Sequence, residues 1–439
     1  MKPTALDLAL LRLRETDADR VERYQRNWAY YKNDQYNRPE YRAGLFRQMR
    51  SVFNLVTKIV DTDARFTMGT HLSVDVPSEK GSGPATEALQ KLWADSSFQQ
   101  AKYLLVRYGA CCGDAFIKVF DNRPWERNPD PDPAVPVKLI VLPPDMVTPA
   151  YDPNDRTRML ACKLEYLYLT KVYKEIWHED RVEFYDPEDP ERIEAAFPNR
   201  LGQIPVVHIQ NLDVGEESGL CSFHNILPTL DALNELASFL IEMARMYGDP
   251  VYVARGVQKG TLEKGMVSEA GRPVSTVWYV PVPEGGIEVL EWRADAMTPT
   301  LAFLDRIRDG MREAFPELVL GLQKSGADDS GYALRLRLAE LERKISEMRG
   351  NYFAGLTQAN NLALRIVGFD SSPPHRIVAE PVLPADEEAQ QRMLVSDVRD
   401  LRVKSRATAA RERGIEDVAS ELAAADEEAR AESRAQQQP

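Results

Sequence analysis

Two adjacent carboxylates, Asp328 and Asp329, form the best-placed acidic pair in this chain of 439 residues. Paired carboxylates can share a divalent ion, as a metal-dependent nuclease requires, but such a site needs further Asp or Glu residues converging from elsewhere. A simpler role is local. The pair ends a glycine-rich stretch, Glu317-Leu-Val-Leu-Gly-Leu-Gln-Lys-Ser-Gly-Ala-Asp-Asp-Ser-Gly331, and a long amphipathic segment follows. Acidic residues there are favoured by the positive end of a helix dipole, with Ser330 as the N-cap. Within the same stretch, Gln323-Lys324-Ser325-Gly326 has only a passing likeness to a phosphate-binding loop. No glycine directly precedes the lysine, and the full Gly-x-x-x-x-Gly-Lys-Ser/Thr pattern is absent. Neither Gly-x-Ser-x-Gly nor His-Glu-x-x-His occurs. The histidines at 71, 178, 208, 224 and 375 lack metal-ligand spacing. His208, inside Val-Val-His-Ile, reads as a hydrogen-bonded core or edge residue, and His178-Glu179-Asp180 as a solvated connection between strands. Asp130-Pro-Asp-Pro133 lacks the alternation and glycine of a calcium loop. No cofactor and no metal are expected. Cys111, Cys112, Cys162 and Cys221 contain no Cys-x-x-Cys, and adjacent cysteines make a poor disulfide, so reduced, buried thiols are expected.

The elements that position these residues follow from hydrophobic spacing. Beyond the glycine-rich stretch, Leu334, Leu338, Leu341, Ile345, Met348 and Tyr352 recur in steps of four and three, a narrow stripe for packing one helix on others. Arg335, Arg337, Arg343 and Arg349 interleave with Glu340, Glu342 and Glu347 on the same helix; they suit either a solvated face or a subunit interface. Pro316 ends whatever helix precedes the loop. The chain is long enough for two or more domains. Its net charge of −13 argues against tight wrapping of nucleic acid, but not against a wall that nucleic acid slides past. No apolar run could span a bilayer, and the first residues lack a signal core, so an intracellular protein is expected.

In chain order, helices are expected over 6–31, 52–66, 85–93 and 98–109, with strands at 71–76 and 115–121. From 137 to 209 the alternation changes to a run of strands at 137–142, 160–169, 172–177, 181–185 and 205–209, expected to form one antiparallel sheet region. A helix follows from about Asn225 to Tyr247, with Pro228 in its first turn and Gly248-Asp249-Pro250 as its stop. Strands at 251–254, 276–280 and 287–292 form a small hairpin-like β module. A second helix then begins at a Thr298 cap with Pro299 first, and carries Leu301, Leu304, Ile307, Met311 and Phe315. A strand at 375–379 and helical stretches over 385–431 complete the chain.

Several of these segments resemble the portal proteins of tailed bacteriophages, of the siphophage type. They are Tyr24-Gln-Arg-Asn-Trp-Ala-Tyr-Tyr31, Asn54-Leu-Val-Thr-Lys-Ile-Val-Asp-Thr-Asp-Ala-Arg-Phe-Thr-Met-Gly69, Asn199-Arg-Leu-Gly-Gln-Ile-Pro-Val-Val-His-Ile-Gln-Asn211 and Ser330-Gly-Tyr-Ala-Leu-Arg-Leu-Arg-Leu338. Their order, with a β module between two helices, carries the resemblance. It implies an α+β portal fold: a wing over 1–215, a stem helix over 216–248, a clip over 249–294 and a second stem helix over 295–316. A tunnel loop over 317–331, a tunnel helix and its return over 332–384, and a short crown with the tail over 385–439 would follow. It also implies a ring of about twelve copies at one capsid vertex. Double-stranded DNA would pass through its channel without sequence preference. The partners implied are the large terminase packaging motor, the head–tail adaptor and the major capsid or scaffold protein, with no membrane. The protein would reside in the virion and assemble in the host cytoplasm. Leu322, Gln323 and Lys324 would lie nearest DNA, above Asp328 and Asp329. Leu334, Leu338, Leu341 and Ile345 would pack the tunnel helix, and Lys259, Lys264 and Arg272 would face partners on the clip. Two other classes compete: a metal-dependent nuclease built on Asp328 and Asp329, and a non-portal capsid or scaffold protein that forms shells or polymers instead of a closed ring.

Overall fold

The computed structural model describes residues 18–37, 52–79, 83–125, 130–248, 251–256, 277–280, 285–290, 297–318, 331–369 and 373–382. The chain divides into one unit of residues 1–327 with 337–382, and another of 328–336 with 383–439. In the second unit the described residues are the opening turns of a helix at 331–336.

The first unit begins with α1 (Ala18–Tyr31), which buries Tyr24, Asn27 and Tyr30 at a three-residue step. Helix α2 (Leu55–Met68) is capped by Asn54, whose side chain accepts from the Thr57 N–H at 3.3 Å. It ends where the Gly69 N–H donates to the Arg65 carbonyl at 2.9 Å. Strand β1 (Leu72–Asp75) then leads to α3 (Pro84–Asp95). Proline opens α3, where its missing N–H costs nothing, and the Glu79 carboxylate accepts from the Ala85 and Thr86 N–H groups at 3.0 and 2.8 Å. Helix α4 (Phe98–Cys112) turns at Gly113, φ +94°, where an added Cβ would lie 2.1 Å from the Gly219 carbonyl oxygen.

The expected single sheet region over 137–209 is two sheets. β2 (Asp114–Asp121) is flanked antiparallel by β3 (Val137–Leu142) and β9 (Val206–Gln210), with Ile117 opposite both Val141 and Val207. The other sheet is an antiparallel meander of β4 (Val147–Tyr151), β5 (Met159–Tyr168), β6 (Lys171–His178), β7 (Arg181–Tyr185) and β8 (Ile193–Pro198). The sequence reading missed β4 and β8. Both are edge strands, where Pro149 and the Ala195-Ala196 pair are tolerated because one side of the ladder is free.

Helix α5 (Leu227–Gly248) follows, with Pro228 in its first turn as expected. The small β module is not a hairpin. β10 (Val251–Arg255) is central, parallel to β11 (Val277–Val280) and antiparallel to β12 (Gly286–Leu290). A parallel pair needs a long crossover, so tight-turn logic fails there. Helix α6 (Met297–Ala314) starts one residue before the expected Thr298 cap, leaving Thr298 and Pro299 in its first turn. A 3₁₀ turn, Pro316–Leu318, ends it.

Helix α7 (Gly331–Val367) begins where the glycine stretch predicted and is buried at Leu338, Leu341, Ile345, Met348, Tyr352, Leu356 and Ala359. Each fully buried aliphatic side chain contributes about 1.5–3 kcal/mol before entropy is counted. Leu334 lies in the helix, with its side chain outside the described residues. β13 (Arg376–Ala379) closes on β1, Leu72 opposite Ala379. The main core joins α1, α2, α4, α5 and α6 through Tyr24, Val60, Cys111, Leu230 and Met311. All four cysteines are free and buried, and burial pushes their thiols up. Among the described residues, no helix is long and apolar enough to cross a membrane.

Candidate functional site

Leu322, Gln323, Lys324, Asp328 and Asp329 lie outside the described residues, as do Lys259, Lys264, Arg272 and the helical stretches expected over 385–431. The structure does describe the chain that enters the glycine-rich loop and the helix behind it. Glu317, in the 3₁₀ turn, is fully buried, and its carboxylate accepts from the Lys344 ammonium of α7. Lys344 also donates to Asp63 of α2 at 3.1 Å. One residue further on, the Leu318 carbonyl accepts from Lys58 of α2 at 3.0 Å. The loop therefore departs from a point fixed to α2 directly through Lys58 and indirectly through Lys344 of α7.

Higher on α7, Arg349 donates to the Thr67 and Phe66 carbonyls at 3.0 and 2.7 Å. These are the orphan acceptors at the C-terminus of α2, where a cation is favoured by the helix dipole. Tyr352 donates to Asn211 Oδ1 at 3.0 Å, and its hydroxyl lies against Gly109 of α4, where an added Cβ would sit 1.9 Å away. Trp93 of α3 donates to Asn360 Oδ1 at 3.0 Å. The second half of α7 is thus clamped from several sides.

Two carboxylates share one ammonium in this junction, and neither carboxylate is exposed to water. Burial pushes the Asp63 carboxyl up, to about 7; Lys344 opposes that and Glu317 adds to it. Burial also disfavours charge on Lys344, but Asp63 and Glu317 outweigh it and its pKa rises. Glu317 Oε2 is buried without a hydrogen-bond partner. Two ionised carboxylates would exceed the one ammonium, and the upward shift at Asp63 favours a proton there.

A second polar cluster pins α1 to the sheets. Asp114 accepts from the Tyr24 hydroxyl at 2.5 Å, from His208 Nε2 at 2.8 Å and from the Gly219 N–H at 2.8 Å. His208 Nδ1 pairs with the Tyr151 hydroxyl at 2.5 Å, and the ring stacks on Phe116 at 4.6 Å. His208 is thus a hydrogen-bonded residue, as expected of a core or edge position, and it lies on the edge strand β9. The cavity on its Asp114 side, about 10 Å³, holds no more than one water, whereas on the other side Tyr151 and His208 line an open cleft of about 530 Å³ with Arg156, Asn351 and Gln358. Among the described residues, no group of three or more His, Cys, Asp or Glu could hold a metal ion. His178 departs from its expected place in a solvated turn. It ends β6 and is buried, 3.7 Å from Glu183.

The expected stripe residues Leu338, Leu341 and Ile345 are buried on α7. Asp63, Glu317, Lys344 and Asp114 were not anticipated. One signal was readable: Asp63 falls on the apolar face 56-59-60-63-64-67 of α2, where a carboxylate needs a partner.

Comparison with known proteins adds the family. Residues 10–435 match the family described as phage portal protein, SPP1 Gp6-like. No curated protein matches the sequence. A chain from the neck of an empty gene transfer agent particle is similar in fold, with 13% identity and a TM-score of 0.52, over 89% of this chain and 94% of that one. A chain from the native particle's virion aligns at 12% identity and a TM-score of 0.47, over 82% and 88%.

Proposed function

We propose that this chain, which belongs to the SPP1 Gp6-like phage portal protein family, forms a closed ring of copies around a channel for viral DNA at one capsid vertex. As a member of that family it is a portal protein. The family match over residues 10–435 carries the reading. Ring formation is supported by exposed apolar side chains on the paired helices α5 and α6: Phe239, Leu301 and Phe303 are 56%, 49% and 57% exposed. Packing between copies would cover them.

In this reading residues 1–215 form the wing, and 216–248 and 295–316 the stem. Residues 249–294 form the clip, which meets the packaging motor and then the head–tail adaptor through Lys259, Lys264 and Arg272. The loop 317–331 lines the channel, with Leu322, Gln323 and Lys324 nearest DNA. Residues 332–384 form the tunnel helix and its return, and 385–439 the crown. The ring would meet capsid or scaffold protein, reside in the virion and assemble in the host cytoplasm. The junction at Glu317 supports the role given to the loop, because a loop that touches moving DNA needs a fixed root. Its function requires weak phosphate contact without sequence preference, repeated around the ring.

Native mass spectrometry with negative-stain imaging tests the proposal. A closed ring of about a dozen copies with a central hole is expected. A monomer or dimer that cuts DNA with divalent metal would overturn it.

A further inference from the structure

Each carboxylate at the Lys344 junction bonds through one oxygen only. Asp63 Oδ2 and Glu317 Oε1 accept from the ammonium, while Asp63 Oδ1 and Glu317 Oε2 are buried without a hydrogen-bond partner. Neither side chain is exposed to solvent, so water does not screen the second negative charge. One further positive charge would balance the junction. Two carboxylates supply too few ligands for a divalent cation, and among the described residues no group of three or more His, Cys, Asp or Glu could hold one. A proton needs a single oxygen, and it turns that acceptor into a donor.

The groups around Asp63 come from four further directions. Lys58, also on α2, donates to the Leu318 carbonyl at 3.0 Å, and the charge of Arg312 on α6 acts on Lys58. From α7 come Lys344 and the Tyr352 hydroxyl, which donates to Asn211. The turn supplies Glu317. The connection before α5 supplies Ser222, whose hydroxyl accepts from Asn211 at 3.1 Å and bonds Asp63. In this setting burial pushes the Asp63 carboxyl up to about 7, with Lys344 opposing the shift and Glu317 adding to it.

We propose that a proton on Asp63 latches the Pro316–Leu318 turn to α2 and α7. With Asp63 neutral, Lys344 and Glu317 form a one-to-one ion pair and the turn is held. With Asp63 ionised, the same ammonium is divided between two carboxylates, and carrying Glu317 out to water relieves the excess. The proton comes from solvent, and only an O–H bond is made or broken. The inference deepens the role given above to the loop root. It rests on the portal reading for its use, which is to set how firmly the channel loop is held, and not for its chemistry.

Hydrogen-exchange mass spectrometry of the full-length protein tests it at the Phe315 and Leu318 amides, which donate to the Met311 and Phe315 carbonyls. After correction for intrinsic exchange, their protection should fall about tenfold between about pH 6 and 8. The fall should be unchanged in low urea, because detaching one turn exposes little surface. Asp63→Asn and Glu317→Gln each remove one of the two competing charges, and either should make the protection flat over the same range. Flat protection in the wild type, a tenfold fall that survives both substitutions, or a fall that steepens with urea as global unfolding does, overturns the latch. None of these outcomes touches ring formation, which imaging of the same protein reads separately.

Discussion

The two buried polar clusters of the first unit differ in how they are balanced. Around Asp114, one carboxylate meets three donors and His208 uses both ring nitrogens. Around Lys344, two fully buried carboxylates compete for one ammonium, and a carboxylate oxygen of Glu317 is left over. The first cluster is a lock: its geometry is satisfied, and it holds α1, β2, β9 and the 212–219 connection in one arrangement. The second is held by charge and carries a surplus. Since Glu317 begins the loop, the unpartnered carboxylate oxygen lies at the root of the segment proposed to contact DNA. Solvent exclusion alone does not make a site rigid; satisfaction of its partners does.

Removing the ammonium should be the harshest way to break the difference. Lys344→Met strands two buried carboxylates and should cost about 3–5 kcal/mol in urea unfolding. Adding Asp63→Asn and Glu317→Gln to that variant should restore most of the loss, because the cost is the uncompensated charge. If the triple variant stays as weak as the single, the junction is held by shape instead. Asp114→Ala leaves three donors without their acceptor and should cost about 2–3 kcal/mol. No neighbouring substitution should rescue it, since there is no surplus charge to remove.

How much of this was legible depends on the range over which each feature is written. The α7 stripe and the strands of the meander interior are local patterns, and the α7 residues buried from Leu338 to Tyr352 are those the spacing named. His208 was readable as a bonded core or edge residue from its apolar neighbours. The edge strands β4 and β8 were not, because an edge relaxes the propensity rules that mark a strand. The split into two sheets depends on β9 returning to β2, and Ile117 meets Val207 across 90 residues. The polar clusters are longer-ranged still. Lys344 and Asp63 are separated by 281 positions and Asp114 and Gly219 by 105, so no local window contains both partners. The sequence showed only a carboxylate on an apolar helix face, without its ammonium.

Asp63→Asn is a milder test of the same contrast. Lys344 and Glu317 can still pair, so the cost at neutral pH should be within about 1 kcal/mol. The informative quantity is its pH dependence. The folded-state pKa of Asp63 is raised above the ordinary value of 3.8, to about 7. Between these values the native state holds more protons than the unfolded chain, so this group's contribution falls as pH rises. It is fully present below about 4 and lost as pH passes about 7. Wild type minus Asp63→Asn stability, measured by urea unfolding from pH 4 to 8, should therefore decline with pH and then level off. A difference that rises with pH would mean that Lys344 fully neutralises Asp63 and that the junction carries no surplus.

The smallest effect on stability is expected at Lys324, where the contrast between anchored root and working loop becomes functional. A lone lysine in a glycine-flanked stretch makes no demand on packing, so Lys324→Ala should leave unfolding within about 0.5 kcal/mol of wild type and ring mass unchanged. In a ring, however, the substitution removes one cation from every copy. Phosphate contact in the channel is a sum over copies, so a weak single contact becomes a band of charge. DNA packaging or retention in assembled particles should change while assembly does not. Deletion of 319–330, which spares Glu317 and the α7 stripe, should have a larger effect on the same readout. If packaging is unchanged in both variants, the fixed root at Glu317 serves only to join α6 to α7, and the contact with DNA must be sought on another surface of the ring.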